Sequence, residues 1–77
     1  MSKIGFIVRV VGVVVDVEFS TGDLPAIHNA LHIALRDGGL VVLEVQEHIN
    51  AQTVRTISMQ STAGLARGME VSDTGAP

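Results

Sequence analysis

Two histidines are the first candidates for chemistry in this sequence. His28 and His32 stand four positions apart, which on a helix would place both imidazoles on one face, a spacing that metal sites use. No acidic residue stands near enough in sequence to look like a third ligand. If residues 30–35 form a strand instead, the pairing is lost. We therefore expect two partly exposed histidines and no metal site.

The carboxylates and hydroxyls show no catalytic pattern. Asp16 and Glu18 would project from one face of a strand, but a catalytic dyad needs a raised pKa, for which the sequence offers no sign. We expect them to form a solvated or interfacial pair. His48, Asp73 and the serines at positions 20, 58, 61 and 72 lack the context of a nucleophile elbow. The sequence predicts no catalytic residue.

Lysine usage argues against a nucleotide site. A phosphate-binding glycine-rich loop needs a lysine followed by serine or threonine at the start of a helix. The one lysine, Lys3, is followed by Ile4 and Gly5 near the start of the chain. We expect no bound cofactor and no ATP hydrolysis by these 77 residues.

Charge and composition narrow the choice of partners. The net charge is −3 and the pI is near 5.4, so the positive field that attracts nucleic acid or an anionic membrane is missing. The absence of cysteine excludes disulfides and cysteine-bound zinc. One alternative stays open, an autonomous barrel that binds nucleic acid or a small ligand. Nucleic-acid barrels stack bases on aromatic side chains, whereas Phe6 and Phe19 are both expected inside.

The sequence predicts that strands position these residues. Twelve valines and six isoleucines favour β-structure over helix. Around Gly12 the alternation has two phases, which a turn or bulge at that glycine would reconcile. The predicted inward positions are Phe6, Val8 and Val10 before the glycine, and Val13, Val15, Val17 and Phe19 after it.

The rest of the chain continues in short strands. Residues 24–35 fit either a helical stripe or alternation, but Gly38 and Gly39 supply a tight turn and favour a hairpin of residues 30–35 and 40–48. A helical turn is considered for residues 25–29. Two more strands are predicted at 53–59 and 69–73. Six such strands predict an all-β fold, a small closed antiparallel barrel forming one domain over residues 1–77.

Several apolar residues fall on the faces opposite the assigned interior. They are Ile7, Val11, Val14 and Val42. A few scattered surface valines would be ordinary, but several together form an adhesive patch. We expect a partner to cover them.

The ordered motifs resemble one known family. GFIVRVVGVVVDVEF, LPAIHNAL, LEVQEHI, TVRTISM and GLARGMEVSDTGAP occur in the order found in the amino-terminal barrel of the catalytic beta subunit of rotary proton-translocating ATP synthase. The ordered set that ends in this last motif separates beta from the alpha subunit, whose matching first hairpin reads differently. The resemblance implies a six-stranded Greek-key barrel at the membrane-distal end of the catalytic head. There, three alpha and three beta barrels form a closed crown in a hetero-hexameric ring.

The resemblance also implies that nucleotide binding and assembly belong to different domains. ATP, ADP and magnesium would bind in the family's next domain, which starts just after the DTGxP element where this chain stops, and no family catalytic residue maps onto these positions. The parent would be an enzyme, and this chain alone would be inactive and prone to self-association. The short lead before the first strand favours a bacterial protein on the cytoplasmic face of the inner membrane, peripheral and without lipid contact. The predicted subunit-interface residues are Ile7, Arg9, Val11, Val14, Asp16, Glu18, Val42 and Arg55.

Overall fold

The computed structural model describes residues 3–77 and contains six strands in that range. The strands are β1 (Lys3–Val11), β2 (Val14–Glu18), β3 (Ala30–Ala34), β4 (Leu40–His48), β5 (Thr53–Ser58) and β6 (Glu70–Asp73). The predicted hairpin and the two later strands are confirmed to within one residue of their expected ends. Within residues 3–77 no helix is long and apolar enough to cross a membrane.

The strands form a closed antiparallel barrel in the order β1-β2-β5-β4-β3-β6. The neighbours β2-β5-β4-β3 form a Greek key, because three strands joined by hairpins lie beside a fourth that arrives by a longer connection. The β3–β6 seam closes the barrel with two register pairs, Leu31 with Asp73 and His32 with Ser72. The predicted fold class is confirmed.

The barrel interior is filled by aliphatic side chains of modest size. Val15, Val17, Leu31, Ile33, Leu43, Val45, Val54 and Val71 are fully buried there, and Phe19 closes one end. Thr56 is a fully buried polar residue of this interior, and its hydroxyl donates to the Val15 carbonyl oxygen at 2.7 Å. This hydrogen bond removes most of the cost of burying the hydroxyl.

A bulge in β1 overturns two of the predicted orientations. Ile7 pairs with Val17 and Arg9 pairs with Asp16, so Val8 is the extra residue of a β-bulge. The alternation therefore changes phase inside β1, before the glycine at which a change was predicted. Ile7, predicted to point outward, is 1% exposed and belongs to the core. Phe6, predicted to lie inside, is 50% exposed.

Gly12 forms the predicted turn. Val11 pairs with Val14, which leaves a two-residue loop of Gly12 and Val13 between β1 and β2. The φ of Gly12 is 57°, the positive value that a type II′ hairpin requires at its first central position. Val13 was expected to face the interior, but it occupies the second loop position and is 53% exposed.

The segment between β2 and β3 contains no helical turn. A turn closes there instead, because the Asn29 amide donates to the Ala26 carbonyl oxygen at 3.0 Å. His28 lies in this turn with φ 76°, a left-handed conformation that is uncommon for residues other than glycine. His48 Nε2 lies 2.7 Å from the carbonyl oxygen of Pro25, a fully buried residue, and this contact holds the loop against the end of β4.

Candidate functional site

The outer wall formed by β1, β2 and β5 carries a shallow groove of about 220 Å³. It is lined by Arg9, Val11, Val14, Asp16 and Arg55. All five were predicted from the sequence as interface residues, and the strand order brings them together: β2 lies between β1 and β5. We call these five residues the outer groove.

An ion pair forms the floor of the outer groove. Arg55 Nε lies 3.0 Å from Asp16 Oδ1, and Nη2 lies 3.1 Å from Oδ2. This is the two-pronged geometry in which guanidinium and carboxylate bind most strongly. Arg55 covers Asp16 so well that the acidic side chain is only 7% exposed, although it points outward. The hydrogen bond and charge of Asp16 raise the pKa of Arg55, so Arg55 stays charged.

The ion pair belongs to a row of four charges across four neighbouring strands. Register pairing aligns Arg9 on β1 with Asp16 on β2, Asp16 with Arg55 on β5, and Arg55 with Glu47 on β4. The signs alternate along the row. Glu47 reaches this row because a second bulge, at Gln46 in β4, shifts the register by one residue. Its Oε1 lies 3.7 Å from Arg55 Nη1.

A row of aliphatic side chains runs beside the charges. Val11 pairs with Val14, and Val14 pairs with Ile57, so the three side chains share the outer face of β1, β2 and β5. Val11 is 53% exposed. At the same end of the barrel, Met59 is 73% exposed. The aligned residues Val11, Val14 and Ile57 form an apolar margin of the outer groove.

The other predicted interface residues lie elsewhere. Glu18 follows on β2, where it pairs with the exposed Phe6. Val42 lies on β4 and faces His32 of β3, outside the groove. Ile7 is inside the barrel, so the prediction that it contributes to a surface is wrong. Sequence reasoning missed Ile57, although it alternates in phase with Arg55 and that phase could have revealed it.

The glycine-rich motif near the end of the chain has structural roles in this barrel. Gly64, Gly68 and Gly75 adopt φ of 89°, 92° and 78°, which side chains rarely adopt. Asp73 Oδ1 accepts hydrogen bonds from Asn29 Nδ2 at 3.3 Å and from the Gly75 amide at 2.9 Å. Each of these residues fixes a turn or anchors β6.

Comparison with known protein families agrees with this architecture. Residues 7–75 match the ATP synthase alpha/beta family, beta-barrel domain, and that match covers most of the chain. The chain belongs to the ATP synthase alpha/beta family. The resemblance in the ordered motifs is thereby confirmed for the family as a whole, which implies a hetero-oligomeric ring.

In this barrel of the ATP synthase alpha/beta family, the side chains considered for metal binding or catalysis either lie apart or already bind another side chain. His28 lies in the turn before β3 with Nδ1 3.9 Å from Glu44 Oε2, whereas His32 is within β3. The expected carboxylate pair, Asp16 and Glu18, does share one face, but Arg55 already binds both oxygens of Asp16. Across the described range 3–77, no three His, Cys, Asp or Glu side chains cluster as metal ligands would.

The hollow beside Lys3 in this ATP synthase alpha/beta family barrel does not fit a nucleotide phosphate. Lys3 lies at the start of β1, with Nζ 3.9 Å from Asp23 Oδ1, at the edge of a hollow that also includes Asn29 and Asp73. Two carboxylates and no helix N-terminus surround that lysine among the described residues. A phosphate there would meet negative charge, whereas phosphate sites present converging N–H groups and cations.

Proposed function

We propose that this chain is an assembly barrel of the catalytic beta subunit of a proton-translocating ATP synthase, and that its outer wall contacts the barrels of neighbouring alpha subunits. The observation that carries this proposal is the outer groove. It combines a rigid ion pair, an exposed arginine and an apolar margin on one wall. Charged groups set register in protein interfaces, and buried aliphatic surface supplies most of the affinity.

Ring assembly explains why a small barrel exposes so much apolar surface. A closed ring of alternating subunits uses heterologous contacts, so each barrel needs two different adhesive sides. The row of Val11, Val14 and Ile57 fits one such side. Val11 lies at the end of β1, whereas the exposed Phe6 and Ile4 lie in its first half. These two residues fit the second adhesive side.

The choice of beta over alpha rests on the ordered set of motifs, from the first hairpin to the final motif. GLARGMEVSDTGAP resembles the pattern of the beta subunit in its glycines, Arg67, Val71 and Asp73. In this barrel, those glycines have positive φ and Val71 is fully buried. These residues have structural roles and add no chemistry to this domain, so the support for the beta subunit comes from the likeness of the sequence motifs alone.

Under this proposal, the parent complex makes or hydrolyses ATP coupled to proton transport, and nucleotide and magnesium bind outside these residues. The barrel lies in the head of the complex, on the cytoplasmic face of the bacterial inner membrane, without touching lipid. Its contribution to the enzyme is cohesion of the ring.

Reconstitution with partner subunits tests this function. The chain is mixed with alpha-subunit barrels, or with the remaining subunits of the head, and the mass of the species formed is measured by sedimentation. We expect a mixed complex, weakened by Val14→Asp because the substitution places a charge in the apolar margin.

Ile49→Asp is the matched control, since Ile49 is 41% exposed beyond the end of β4 and away from the groove. Failure of the unaltered chain to associate would overturn the assembly function. Specific attachment to a short single-stranded nucleic acid at low salt would instead support an autonomous binding module.

A further inference from the structure

Arg9 is the cation of the outer groove whose charge is not used within the barrel. Its register partner is Asp16, but both oxygens of that carboxylate already accept hydrogen bonds from Arg55. Arg9 forms no ion pair with any residue of the range 3–77. It is exposed and lies at the open end of the charge row.

The charge of the outer groove differs in sign from that of the chain. Arg9 and Arg55 contribute two positive charges and Asp16 contributes one negative charge, which leaves +1 in the groove against −3 for the whole chain. A partner that covered the valine margin would remove water from Arg9. A guanidinium without water needs a carboxylate to offset the cost of desolvation.

We propose that Arg9 receives a side-chain carboxylate of a neighbouring subunit, with aliphatic groups of the same partner segment packed on Val11 and Val14. This inference rests on the proposed assembly function and names the chemistry of its partner. The partner's acid would continue the alternating row of Glu47, Arg55, Asp16 and Arg9 by one more negative charge. A basic partner segment would be repelled, so the row selects which surface can dock.

Charge reversal at Arg9 tests the inference directly. Affinity for the partner subunit is measured by sedimentation for the unaltered chain, Arg9→Glu, Arg9→Gln and Arg36→Glu. Arg36 is the matched control because it is an exposed arginine in the turn between β3 and β4, outside the groove. We expect Arg9→Glu to weaken association about tenfold or more. Arg9→Gln should weaken it less, and Arg36→Glu should leave it unchanged.

Salt gives a second readout that loss of structure would not produce. Association of the unaltered chain should weaken as ionic strength rises, and the Arg9→Gln chain should depend less on salt because one ion pair is missing. Amide exchange of Val15 and Val54, both fully buried, reports whether each variant retains the barrel. If Arg9→Glu is poorly folded, the neutral Arg9→Gln variant still decides the question.

The outcomes separate the two proposals. Association of the unaltered chain together with equal affinities for Arg9→Gln and Arg36→Glu would overturn the role of Arg9 and leave the assembly function standing. No association of the unaltered chain would overturn both. Restoration of Arg9→Glu binding by a single acid-to-lysine substitution in the partner would identify the carboxylate and support the inference.

Discussion

The side-chain amide of Gln60 donates from Nε2 to the carbonyl oxygen of Leu40 at 2.9 Å. Its Oε1 accepts from the amide of Val42 at 2.7 Å. Strand β5 ends at Ser58, so the first residues of β4 have no main-chain neighbour on that side. The carboxamide of Gln60 therefore replaces the missing peptide group and closes an edge that would otherwise remain open to another strand.

Removal of this side chain should open the edge of β4. Gln60→Ala deletes both hydrogen bonds, and we expect the unfolding free energy to fall by about 1–2 kcal/mol. Amide exchange at Val42 should accelerate, as NMR can measure for that residue. Gln46→Ala is the control, since the exposed Gln46 side chain donates to the Glu44 carboxylate at 3.0 Å and not to the main chain of β4. Unchanged exchange at Val42 would contradict the role of Gln60.

When Arg55 is replaced, the pH dependence of folding stability should reveal the contribution of the two-pronged ion pair. Arg55→Lys keeps a charge but supplies one point of attachment, so we expect lower stability at neutral pH. The raised pKa of Arg55 means that its contribution is present below the ordinary arginine range and is lost only when pH rises beyond that range. A lysine loses its charge near pH ~10.4, or somewhat higher beside Asp16.

The stability difference between the two proteins should therefore widen as pH rises from 8 to 11. Thermal unfolding across this range measures it. A constant difference would show that the charge of residue 55 contributes little, and that packing over Asp16 is what matters.

Alanine at Gly5 should strain the barrel. A Cβ there would lie 2.7 Å from the Glu18 carbonyl oxygen and 2.9 Å from the Phe19 ring. We expect Gly5→Ala to destabilise by about 1–3 kcal/mol, as overpacking does. Gly39→Ala serves for comparison: its Cβ would meet the Asp37 carboxylate at 2.9 Å, and that exposed side chain can move aside with the loss of one hydrogen bond, from the Gly39 amide. Equal melting temperatures for the two variants would argue against the close packing at Gly5.

Two valines provide a matched test of the interior. Val54 is fully buried, whereas Val13 in the first turn is 53% exposed. Val54→Ala should cost at least about 1.5 kcal/mol for the lost apolar groups, with a further penalty for the cavity. Val13→Ala should change stability by less than about 0.5 kcal/mol, typical of surface positions. Denaturant titration distinguishes the two, and a large effect at Val13 would place that residue in the core.

The strands could be predicted because alternation and turn glycines act locally. In β4, Val41, Leu43 and Val45 alternate with outward positions. Gly38 has φ 89° in the turn that joins β3 to β4. The bulge at Val8 left no such signal, since any of several apolar residues in β1 could have been the extra one. A slip of one residue exchanges the two faces of a strand, and this exchanged Phe6 and Ile7.

The candidate site was predictable in composition but not in contacts. Alternation placed Asp16 and Arg55 on outer faces, yet their contact joins residues 39 apart in sequence and depends on β2 lying beside β5. Periodicity contains no information on strand order. The left-handed conformation of His28 was equally hidden, because histidine gives no signal for it; the His28 amide also donates to the carbonyl oxygen of the distant Val45 at 2.8 Å.

The two bulges have a consequence for how this chain can vary. They occur in β1 and β4, the two nine-residue strands, which lie opposite each other in the order of the barrel. Deleting the codon of Val8 or Gln46 would remove the surplus residue and keep the register pairs on both sides, because the partner residues Val17 and Asp16 are consecutive, as are Thr56 and Arg55. Each of the two nine-residue strands can therefore lose one residue without exchanging its faces, so inherited single deletions within these strands should fall at Val8 and Gln46.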